Sequence, residues 1–577
     1  DGDVNDDENG VTKPVMIFQG ENAVFEVRVT NPIVANLYGY IDWNNDGKFD
    51  GPGEMASATG ILAGSNVLVN LSFPVPLNAV AGIPLGARFR IGSIDNEVNT
   101  PLGSAQDGEV EDYLVVVKAL DYGDLPAPYL TTDAQDGPRH AVAPTPELYL
   151  GTVVDIDPDG QPDADAGETD GGDDGDSTGG DDEDGVIEPA MIFRGETAAF
   201  QVAVVNKTAN TAYVYGYVDW NDNGVFDAGN GEIQFSTVAA NTSATVTLTF
   251  NVPLGASAVI NNDLGARFRV GTVQDEVDQA TGFAMNGEVE DYLVRVKGLD
   301  FGDLPTPPYA TQDGVDGPRH GVSETPTVYL GTAPDVELDG QPDPNAGETG
   351  NGDGADENGI VEPAMIFQGE EAKFTVNVVT STTAYVYGYI DWNGNGQFEV
   401  GNGEVQSATV AATGAVVLTF NVPLDATINT DLGARFRIGT VQDQVDSPLG
   451  FAMDGEVEDY LVRVKGLDYG DLPPSYATNE VNDGPRHGVA EIPTTYLGGG
   501  VDVEPNGQPD SDAGEVNGGD DGTDTDDETG VVEPAMLFQG EQASFTVNVT
   551  TNTTAYVYGY IDWNNDDDFN DAGEVQW

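Results

Sequence analysis

The sequence lacks cysteine and has little positive charge. Only 20 Lys and Arg residues stand against 100 Asp and Glu residues in a chain of 577. Without cysteine, neither a disulfide nor a thiolate metal site can form. The net charge of -80 argues against nucleic acid as a partner, because phosphate binding requires basic patches. It argues equally against an anionic membrane surface.

Long hydrophobic runs are also missing. No apolar stretch approaches the roughly 20 residues of a membrane-spanning helix, so we expect no transmembrane segment. Hydrophobic residues nevertheless make up 39% of the chain, with 22 Tyr and 22 Phe, which is more than a disordered acidic chain carries. We therefore expect folded domains with hard cations, Ca²⁺ above all, as their natural ligands.

Internal repetition dominates the sequence. Matching motifs recur about every 170–180 residues, which suits a domain plus a linker. Asp-Trp-Asn begins at Asp42, Asp219, Asp391 and Asp562; Gly-Glu-Val-Glu-Asp-Tyr begins at Gly108, Gly287 and Gly455; Asp-Gly-Pro-Arg-His begins at Asp136, Asp316 and Asp483.

Each period has two parts. The first alternates apolar with polar or small residues, as in Phe200–Val204 and Val246–Phe250, which predicts about seven short strands. The second part, such as 120–184, is rich in Asp, Gly and Pro and predicts a flexible linker when no ligand is bound. In the first sandwich we expect Phe25, Val27, Phe73 and Phe89 in the core.

The fold class expected is all-β, with tandem immunoglobulin-like antiparallel β-sandwiches joined by acidic, Asp/Gly-rich, calcium-binding linkers. Whether another chain supplies the later strands of the incomplete fourth sandwich stays open. The sandwiches are expected at 1–118, 186–297 and 360–465, with part of a fourth at 531–577, and the linkers at 119–185, 298–359 and 466–530.

The first acidic loop, which begins at Asp42, places oxygen side chains at positions 1, 3, 5 and 9 and Gly47 at position 6. This is the front of an EF-hand-like calcium loop, although its closing Glu54 lies beyond position 12. A plain solvated acidic turn is the alternative. The predicted ligands are Asp42, Asn44, Asp46, Asp50 and Glu54; Asp219, Asn221, Asn223, Asp227 and Glu232; Asp391, Asn393, Asn395, Glu399 and Glu404; and Asp562, Asn564 and Asp566.

The second acidic loop repeats this spacing within each linker. Crowded carboxylates repel one another unless a cation lies among them, and Mg²⁺ fits less well because it prefers few protein ligands. Halophilic surface adaptation is the rival explanation of the charge. The predicted calcium ligands are Asp155, Asp157, Asp159, Asp163 and Glu168; Asp335, Glu337, Asp339, Asp343 and Glu348; and Asp502, Glu504, Asn506, Asp510 and Glu515.

Three further features leave alternatives open. Glu290 shares strand parity with Tyr292, so it either completes a calcium site or makes a strand-end hydrogen bond or a salt bridge, with Arg267 and Arg269 as candidates. The alternating tyrosines of 213–217 form either an exposed stripe for sugars or a structural aromatic cluster. The three histidines, one after each Pro-Arg, are expected to make structural linker contacts.

Together, Gly-Glu-Val-Glu-Asp-Tyr, Asp-Trp-Asn and the run from Asp-Tyr-Gly-Asp-Leu-Pro to Asp-Asp-Glu-Asp-Gly-Val resemble the GEVED-domain repeats of large bacterial surface proteins. The resemblance covers nearly all of the chain and implies a secreted, cell-surface or adhesin-like protein. The family's usual Asp-Ala-Pro appears here as Asp124-Leu-Pro126.

The sequence thus favours a calcium-stabilised stalk, fibre or adhesin outside the cell rather than an enzyme. One alternative is a filament or surface layer in which copies of the chain contact one another. Another is an array of carbohydrate-binding modules that contacts surface glycans.

Overall fold

The structure, a computed structural model, is built almost entirely from β-strands. It divides into two compact units, residues 1–297 and 298–577. Among the residues it describes, the α-helices are single turns, and none is long and apolar enough to cross a membrane. These helices are α1 (Asp95–Val98), α2 (Gln274–Val277) and α3 (Gln442–Val445). The described residues are 9–152, 154, 156, 160, 162–164, 166–167, 183–254, 258–347, 357–504, 506–511, 513 and 529–577.

Sandwich 1, in the first unit, consists of two sheets around one core. Their strand orders are β1-β3-β6 and β5-β4-β7-β8. The predicted core residues Phe25, Val27, Phe73 and Phe89 are all buried between the sheets, which confirms the alternation seen in the sequence. The strands are β1 (Val11–Thr12), β2 (Ile17–Phe18), β3 (Asn22–Asn31), β4 (Ala35–Ile41), β5 (Met55–Ile61), β6 (Gly64–Pro74), β7 (Pro84–Gly92) and β8 (Glu109–Tyr122).

Sandwich 2, in the same unit, repeats this plan. One sheet pairs β13 with β16 along its whole length, and the other has the order β15-β14-β17-β19. Phe200, Trp220, Phe250 and Phe268 fill the space between them. The strands are β9 (Arg139–Val142), β10 (Leu148–Leu150), β11 (Val186–Ile187), β12 (Ile192–Phe193), β13 (Thr197–Asn206), β14 (Ala212–Val218), β15 (Ile233–Val238), β16 (Thr242–Asn251), β17 (Leu264–Gly271), β18 (Phe283–Ala284), β19 (Glu288–Val294) and β20 (Val296–Phe301).

The second unit contains sandwich 3, with sheets β22-β25-β23 plus β28 and β27-β26-β29-β31, followed by short strand pairs in 531–577. Its remaining strands are β21 (Arg319–Val322), β22 (Val328–Leu330), β23 (Ile360–Val361), β24 (Ile366–Phe367), β25 (Glu371–Thr380), β26 (Ala384–Ile390), β27 (Val405–Val410), β28 (Gly414–Asn421), β29 (Leu432–Gly439), β30 (Phe451–Ala452), β31 (Glu456–Val462), β32 (Val464–Lys465), β33 (Leu467–Tyr469), β34 (Arg486–Gly488), β35 (Thr495–Leu497), β36 (Val531–Val532), β37 (Thr546–Val547), β38 (Val549–Thr551), β39 (Gly559–Tyr560) and β40 (Val575–Gln576).

The segments expected to be flexible linkers are ordered where the structure describes them. Strand β8 runs on from sandwich 1, and its residues 119–122 pair with β9. Strand β9 in turn pairs with β18 of sandwich 2, and β10 pairs with β13. We call residues 119–152 and 298–332, which precede sandwiches 2 and 3, the covering segments. Asp, Gly and Pro content alone did not reveal the pairing partners that order them.

The sandwich cores should respond strongly to truncation. Phe200 is fully buried and contacts the rings of Phe250 and Phe268. Phe200→Ala should lower the local free energy of unfolding of sandwich 2 by about 3–5 kcal/mol because it leaves a cavity. Phe235→Ala is the control, since Phe235 is 58% exposed, and it should cost no more than about 1.5 kcal/mol. Native-state hydrogen exchange of β13 and β16 measures both, and equal losses would contradict the assigned core.

Candidate functional site

The site is built around β19, the strand that carries the Glu-Val-Glu-Asp-Tyr motif in sandwich 2. It begins after Gly287, whose φ of 94° is a conformation that favours glycine. A Cβ at this position would also collide with the Val270 carbonyl oxygen. The glycine therefore lets the chain turn tightly into β19, at the edge of the sheet next to β17.

A buried ion pair lies at the centre of the site. Asp291 of β19 faces Arg267 of β17, whose Nε and Nη2 donate to Oδ1 and Oδ2 at 2.7 and 2.6 Å. Both side chains are fully buried. Oδ2 also accepts a hydrogen bond from the Leu125 backbone N–H at 2.9 Å. The same carboxylate therefore pairs with an arginine of its own sandwich and binds the covering segment.

Sandwich 3 has the same arrangement. Arg435 donates from Nε and Nη2 to Asp459 at 2.7 Å each, and the Leu304 N–H donates to Asp459 Oδ2 at 2.9 Å. Charge-assisted, forked bonds of this kind are strong and geometrically specific. Their recurrence shows that both complete copies of the buried site work in the same way.

The two glutamates of the motif bind the covering segment and the residue just before β11. Glu288 accepts from the Leu150 N–H at 2.5 Å, and Glu290 accepts from the Gly185 N–H at 3.0 Å and from the Tyr292 hydroxyl at 3.1 Å. The predicted strand-end hydrogen bond of Glu290 is therefore confirmed. Neither arginine considered for a salt bridge with Glu290 is used in that way. Arg267 pairs with Asp291, because cross-strand register places those two residues opposite each other, and Arg269 donates to His140.

Hydrogen bonds also run in the opposite direction, from backbone donors of the motif strand to the covering segment. Asp121 Oδ2 accepts from the Val289 N–H at 2.9 Å, and in sandwich 3 Asp300 Oδ2 accepts from the Val457 N–H at 2.8 Å. The covering segment therefore lies on the outer face of the strand. This explains why nearly every residue of β19, and not only alternate ones, is buried.

The histidines make buried structural contacts in both complete sites. His140 Nε2 accepts from Arg269 Nε at 3.0 Å, and Nδ1 lies 3.0 Å from the Asn286 carbonyl oxygen, to which it donates. Burial and the neighbouring Arg269 charge hold the His140 pKa well below 6.5. His320 repeats these contacts with Arg437 and Asp454. The structural role expected for the histidines is confirmed at these two positions.

The Asp-Trp-Asn loop of sandwich 2 is a closed turn of hydrogen bonds. Asp219 accepts from the N–H groups of Asn223 and Gly224 at 3.2 and 2.8 Å, and also from the Tyr129 hydroxyl at 2.9 Å. Glu232 accepts from the Asp227 N–H at 2.5 Å and from Asn221 Nδ2 at 2.9 Å. The structure therefore brings all five predicted ligands of this loop together.

The equivalent turns differ in detail. Desolvation first, then the neighbouring acidic charges, raises the pKa of Glu232 to about 7 and that of Glu404 to about 6. Asp50 forms no hydrogen bond to the other described ligands of its loop. Related hydrogen bonds connect Asp42, Asn44, Asp46 and Glu54; Asp391, Asn393, Asn395, Glu399 and Glu404; and Asp562, Asn564 and Asp566.

The second acidic loop brings carboxylates face to face before sandwich 3. Glu337 is buried, and its Oε2 accepts from the Phe301 N–H at 2.9 Å. Desolvation, a hydrogen bond with Asp335 and the charge of Asp300 raise its pKa to about 12. Asp343 Oδ2 is buried without a hydrogen-bond partner among the described residues. Asp339 differs from Asp343, because its Oδ1 accepts a hydrogen bond from the Asp313 N–H at 2.8 Å.

The matching loop before 531–577 shows the same pairing of carboxylates. Desolvation and a hydrogen bond with Asp502 raise the pKa of Glu504 to about 9, while Asn506 accepts from the Glu480 N–H. The Asp163 N–H donates to the Asp124 carbonyl oxygen, and the Asp510 N–H donates to the Asp471 carbonyl oxygen, each at 2.7 Å. The predicted ligands Asp155, Asp157, Asp159, Glu168, Glu348 and Glu515 lie outside the described residues.

Calcium binding stays a prediction at both loops. Within the part of the chain that the structure describes, no three His, Cys, Asp or Glu side chains are grouped closely enough to hold one metal ion. In the first loop, hydrogen-bond donors occupy the carboxylate oxygens of Asp219. In the second loop, the carboxyl groups of Asp335 and Glu337 lie against each other. The second loop therefore fits a cation better.

Of the two alternatives for the tyrosines, the exposed stripe is wrong. Tyr215 and Tyr217 are buried against Val277 of α2 and Ala284. The Tyr217 hydroxyl donates to the Val277 carbonyl oxygen at 2.5 Å, and Gln274 Nε2 donates to the Tyr215 hydroxyl at 2.8 Å. Because α2 covers these rings, the alternative of a structural aromatic cluster is confirmed.

Sequence reasoning missed three of the residues that join a covering segment to its sandwich: Asp121, Tyr129 and Asp291. Their partners lie 168, 90 and 166 residues away in the chain, so no local pattern could reveal them. One signal was available. The Leu-Asp-Tyr/Phe-Gly-Asp-Leu-Pro run recurs with the same period as the motif strand, as expected for two segments that contact each other once per repeat.

Removing Asp291 should release the covering segment. Asp291→Ala leaves Arg267 buried without its counter-charge, so the free energy of local unfolding of sandwich 2 should fall by about 3–5 kcal/mol. Residues 119–152 should then become sensitive to protease. The matched control is Asp263→Ala, which breaks the exposed Asp263–Arg295 pair and should cost no more than about 1 kcal/mol. Hydrogen exchange and limited proteolysis together test this, and an intact segment in Asp291→Ala would refute it.

Acid should destabilise sandwich 3 through His320. Burial and Arg437 lower its folded pKa well below 6.5, so the folded state stays neutral while the unfolded state takes up a proton. Its contribution is therefore present above pH 6.5 and decreases as the pH falls further, by up to about 1.4 kcal/mol per pH unit. The charged neighbours are Arg437 and, across the strand pair, Asp300.

The measurement compares the pH dependence of hydrogen exchange in β29 and β31 between the wild type and His320→Gln, from pH 7.5 to 5.5. The wild type should lose more stability over this range than the variant. His487→Gln, at an exposed position, should keep the wild-type slope. Parallel curves for wild type and His320→Gln would show that His320 does not contribute.

Comparison with solved structures gives only weak likenesses. The Bacteroides uniformis β-glucuronidase is 9% identical with a TM-score of 0.17, over 50% of this chain and 28% of that chain. CBD12 from CALX1.2 is 10% identical with a TM-score of 0.12, over 46% and 93%. A marsupial T cell receptor is 7% identical with a TM-score of 0.19, over 78% and 98%. Scores this low carry no argument about function.

A search of curated protein sequences found no match to the chain. The GEVED domain model, in contrast, matches residues 36–116, 213–295 and 385–463. Each match ends within or just after the strand that carries the Glu-Val-Glu-Asp-Tyr motif, β8, β19 or β31. The chain therefore contains three tandem GEVED domains.

Proposed function

We propose that this chain is a calcium-stabilised extracellular structural protein, which forms a stalk, a fibre or an adhesin and catalyses no reaction. One observation carries the proposal: the buried carboxylates of the motif strand bind the backbone of the segment that precedes their sandwich. Strand β8 begins in sandwich 1 and ends in the segment that covers sandwich 2. Sandwiches 1 and 2 are thus joined by paired strands as well as by the chain.

Such coupling suits a protein whose task is reach and mechanical strength. A flexible linker would let successive sandwiches move independently, whereas a segment held by forked ion pairs and strand pairing restricts that freedom. The resemblance to bacterial surface repeats and the absence of cysteine are consistent with this role. We also propose that the sandwiches are immunoglobulin-like, since each has two antiparallel sheets around one core.

Calcium is proposed to bind in the second acidic loop. Glu337 is buried and shares a hydrogen bond with the exposed Asp335, and desolvation together with the charge of Asp300 disfavours ionisation of Glu337. A cation reverses this repulsion, and Asp343 offers a further buried oxygen from the same loop. Ca²⁺ accepts six to eight such oxygens in flexible geometry. At 100 times its dissociation constant, one ion adds about 2.7 kcal/mol to the folded state.

Glycan binding is the weaker alternative. It required an exposed aromatic platform, but Tyr215 and Tyr217 are buried under α2.

Neutralising the carboxylate pair should abolish one calcium site. Asp335→Asn combined with Glu337→Gln should reduce the number of bound ions by at least one in a calorimetric titration of the full chain. Calcium should no longer protect residues 298–347 from protease in this variant, since the ligands are gone. The control is Asp443→Asn combined with Glu371→Gln, which removes the same charge at exposed positions and should bind calcium as the wild type does. An unchanged ion count in the first variant would place calcium elsewhere.

A further inference from the structure

Each of the three sandwiches has one stretch without any charged residue. Charged residues make up 21% of the chain, yet residues 55–87, 233–262 and 405–424 contain no Asp, Glu, Lys or Arg. Each stretch contains two consecutive strands: β5 and β6, β15 and β16, or β27 and β28. We call these strands the neutral flank of their sandwich. Because the three flanks occupy the same place in the fold, the lack of charge is a feature of the domain.

Both strands of a neutral flank are sheet edges. Among the described residues of sandwich 2, β15 pairs only with β14, and β16 pairs only with β13. The equivalent strands of sandwiches 1 and 3 also have one partner each. Sandwich 2 lies between two other sandwiches in the chain, so its open edge belongs to a complete domain with neighbours on both sides. One side of β16 therefore carries backbone N–H and C=O groups that take part in no ladder with a described strand.

Strand β16 lacks the features that protect sheet edges from other strands, which are charged residues, proline and β-bulges. It has no charge and no proline, and its register with β13 is unbroken over all 10 of its residues. Its neighbour β13 is uncharged as well. In contrast, β3 of sandwich 1 carries Glu26 and Arg28, and β25 of sandwich 3 carries Glu371 and Lys373. The edge of sandwich 2 is therefore the most open of the three to another strand.

The core side of β16 is incompletely covered. Val246 packs against the core opposite Val202 of β13, which is fully buried, yet Val246 itself is only partly buried. Ala244, on the same side of the strand, is partly buried too. Val69 and Val416 show the same incomplete burial in sandwiches 1 and 3. A further strand beside β16 would remove this apolar surface from water.

The charge of the chain indicates which partner fits this edge. A basic protein would be attracted to the acidic residues that give the chain its net charge of -80, not to a stretch that has none. A second copy of the chain carries the same charge and is repelled by those residues. It can come close only where both surfaces are neutral. The neutral flank therefore suits another copy of this chain better than it suits a basic partner.

We propose that two copies of this chain pair through the open edges of their β16 strands, antiparallel about a twofold axis. The β13–β16 sheets of the two sandwiches then join into one sheet, and the same strand is used on both sides, as in other isologous contacts. No charge is buried in this contact. A single strand pair is small compared with a standard protein interface, so we expect a weak, concentration-dependent dimer. The inference rests on the proposed fibre and gives it a lateral contact.

Salt separates this contact from one made of ion pairs. The Debye length falls from about 30 Å at 0.01 M salt to about 8 Å at 0.15 M. The repulsion between two acidic chains is then screened, whereas strand pairing between neutral edges is not weakened. The dissociation constant of the dimer should therefore fall by about threefold or more between these conditions. A dissociation constant that rises with salt would indicate ion pairs and contradict the proposal.

The main test adds charge to the edge of the full-length chain. Thr247→Lys combined with Thr249→Lys changes two exposed positions of β16 and brings like charges together across the twofold axis. Sedimentation equilibrium should show a dissociation constant about tenfold or more higher than that of the wild type. The control is Gln201→Lys combined with Ala199→Lys, at the exposed positions of β13 directly opposite. It places the same charge on the same sheet face, one strand away from the edge, and should change the dissociation constant by less than about threefold.

The chain has no cysteine, so a single spin label can be placed along β16 to read the direction of pairing. Ser243→Cys, Thr247→Cys and Asn251→Cys, each exposed, are labelled in turn and the distance between the two copies is measured by pulsed electron paramagnetic resonance. In an antiparallel pair, each residue step changes the separation of matching labels by about 7 Å, twice the rise per residue. The three distances should therefore differ and reach their minimum within β16.

Four results would overturn the proposal: a wild type that stays monomeric at 0.15 M salt, wild-type association of the β16 variant, equal weakening by the β13 control, or equal distances at the three labels. Equal weakening would assign the contact to the sheet face, and equal distances would indicate parallel strands. Every measurement is made with calcium and again with chelator. A failure of the proposed calcium site therefore leaves the comparison of wild type and variants intact.

Discussion

The structure depends on a carboxylate that serves two partners at once. Asp291 binds the forked guanidinium of Arg267 and also accepts the Leu125 backbone N–H. A buried charge is costly unless it is paired and its remaining hydrogen-bonding capacity is used. The arginine supplies the charge, and the covering segment supplies the last donor. The pair and the segment therefore require each other in the buried state.

Sandwich 1 holds the equivalent pair in a more exposed place. Arg88 and Asp112 keep the forked geometry but remain in contact with water. The forked pairing therefore does not depend on complete burial, and in sandwich 2 the covering segment adds the burial and the backbone donor of Leu125. In the complete sites, the buried pair also holds a backbone N–H of the covering segment. The ion pair therefore couples the segment to its sandwich.

Four of the few basic residues lie at these buried sites. The chain has 20 Lys and Arg residues, and four of the arginines are fully buried in pairs: Arg267 and Arg269, and Arg435 and Arg437. In each pair one arginine binds the motif aspartate, and the other binds a histidine and three backbone carbonyls. Each of these four buried arginines therefore holds several elements together at once.

Local patterns predicted what local forces decide. Alternation placed Phe25 and Phe89 in a core, and both are buried there. Strand parity placed Glu290 on the inward side, and Glu290 is fully buried. The same reasoning failed for the covering segments, since their composition is that of a linker. Their order comes from hydrogen bonds that Asp121 and Asp291 make across more than 160 residues. For the tyrosines the sequence left two alternatives open, because α2, which covers them, is too short in its four residues to show a pattern of its own.

The order of the elements along the chain has a consequence for biosynthesis. A covering segment is translated before the sandwich it covers, and the motif strand that holds it comes almost last in that sandwich. The hydrogen bond between Asp121 and the Val289 N–H can form only after 168 more residues have been synthesised. Contacts so distant in sequence form slowly. On the ribosome, each covering segment would therefore emerge without its partners. It would be bound only when the motif strand of the following sandwich is complete.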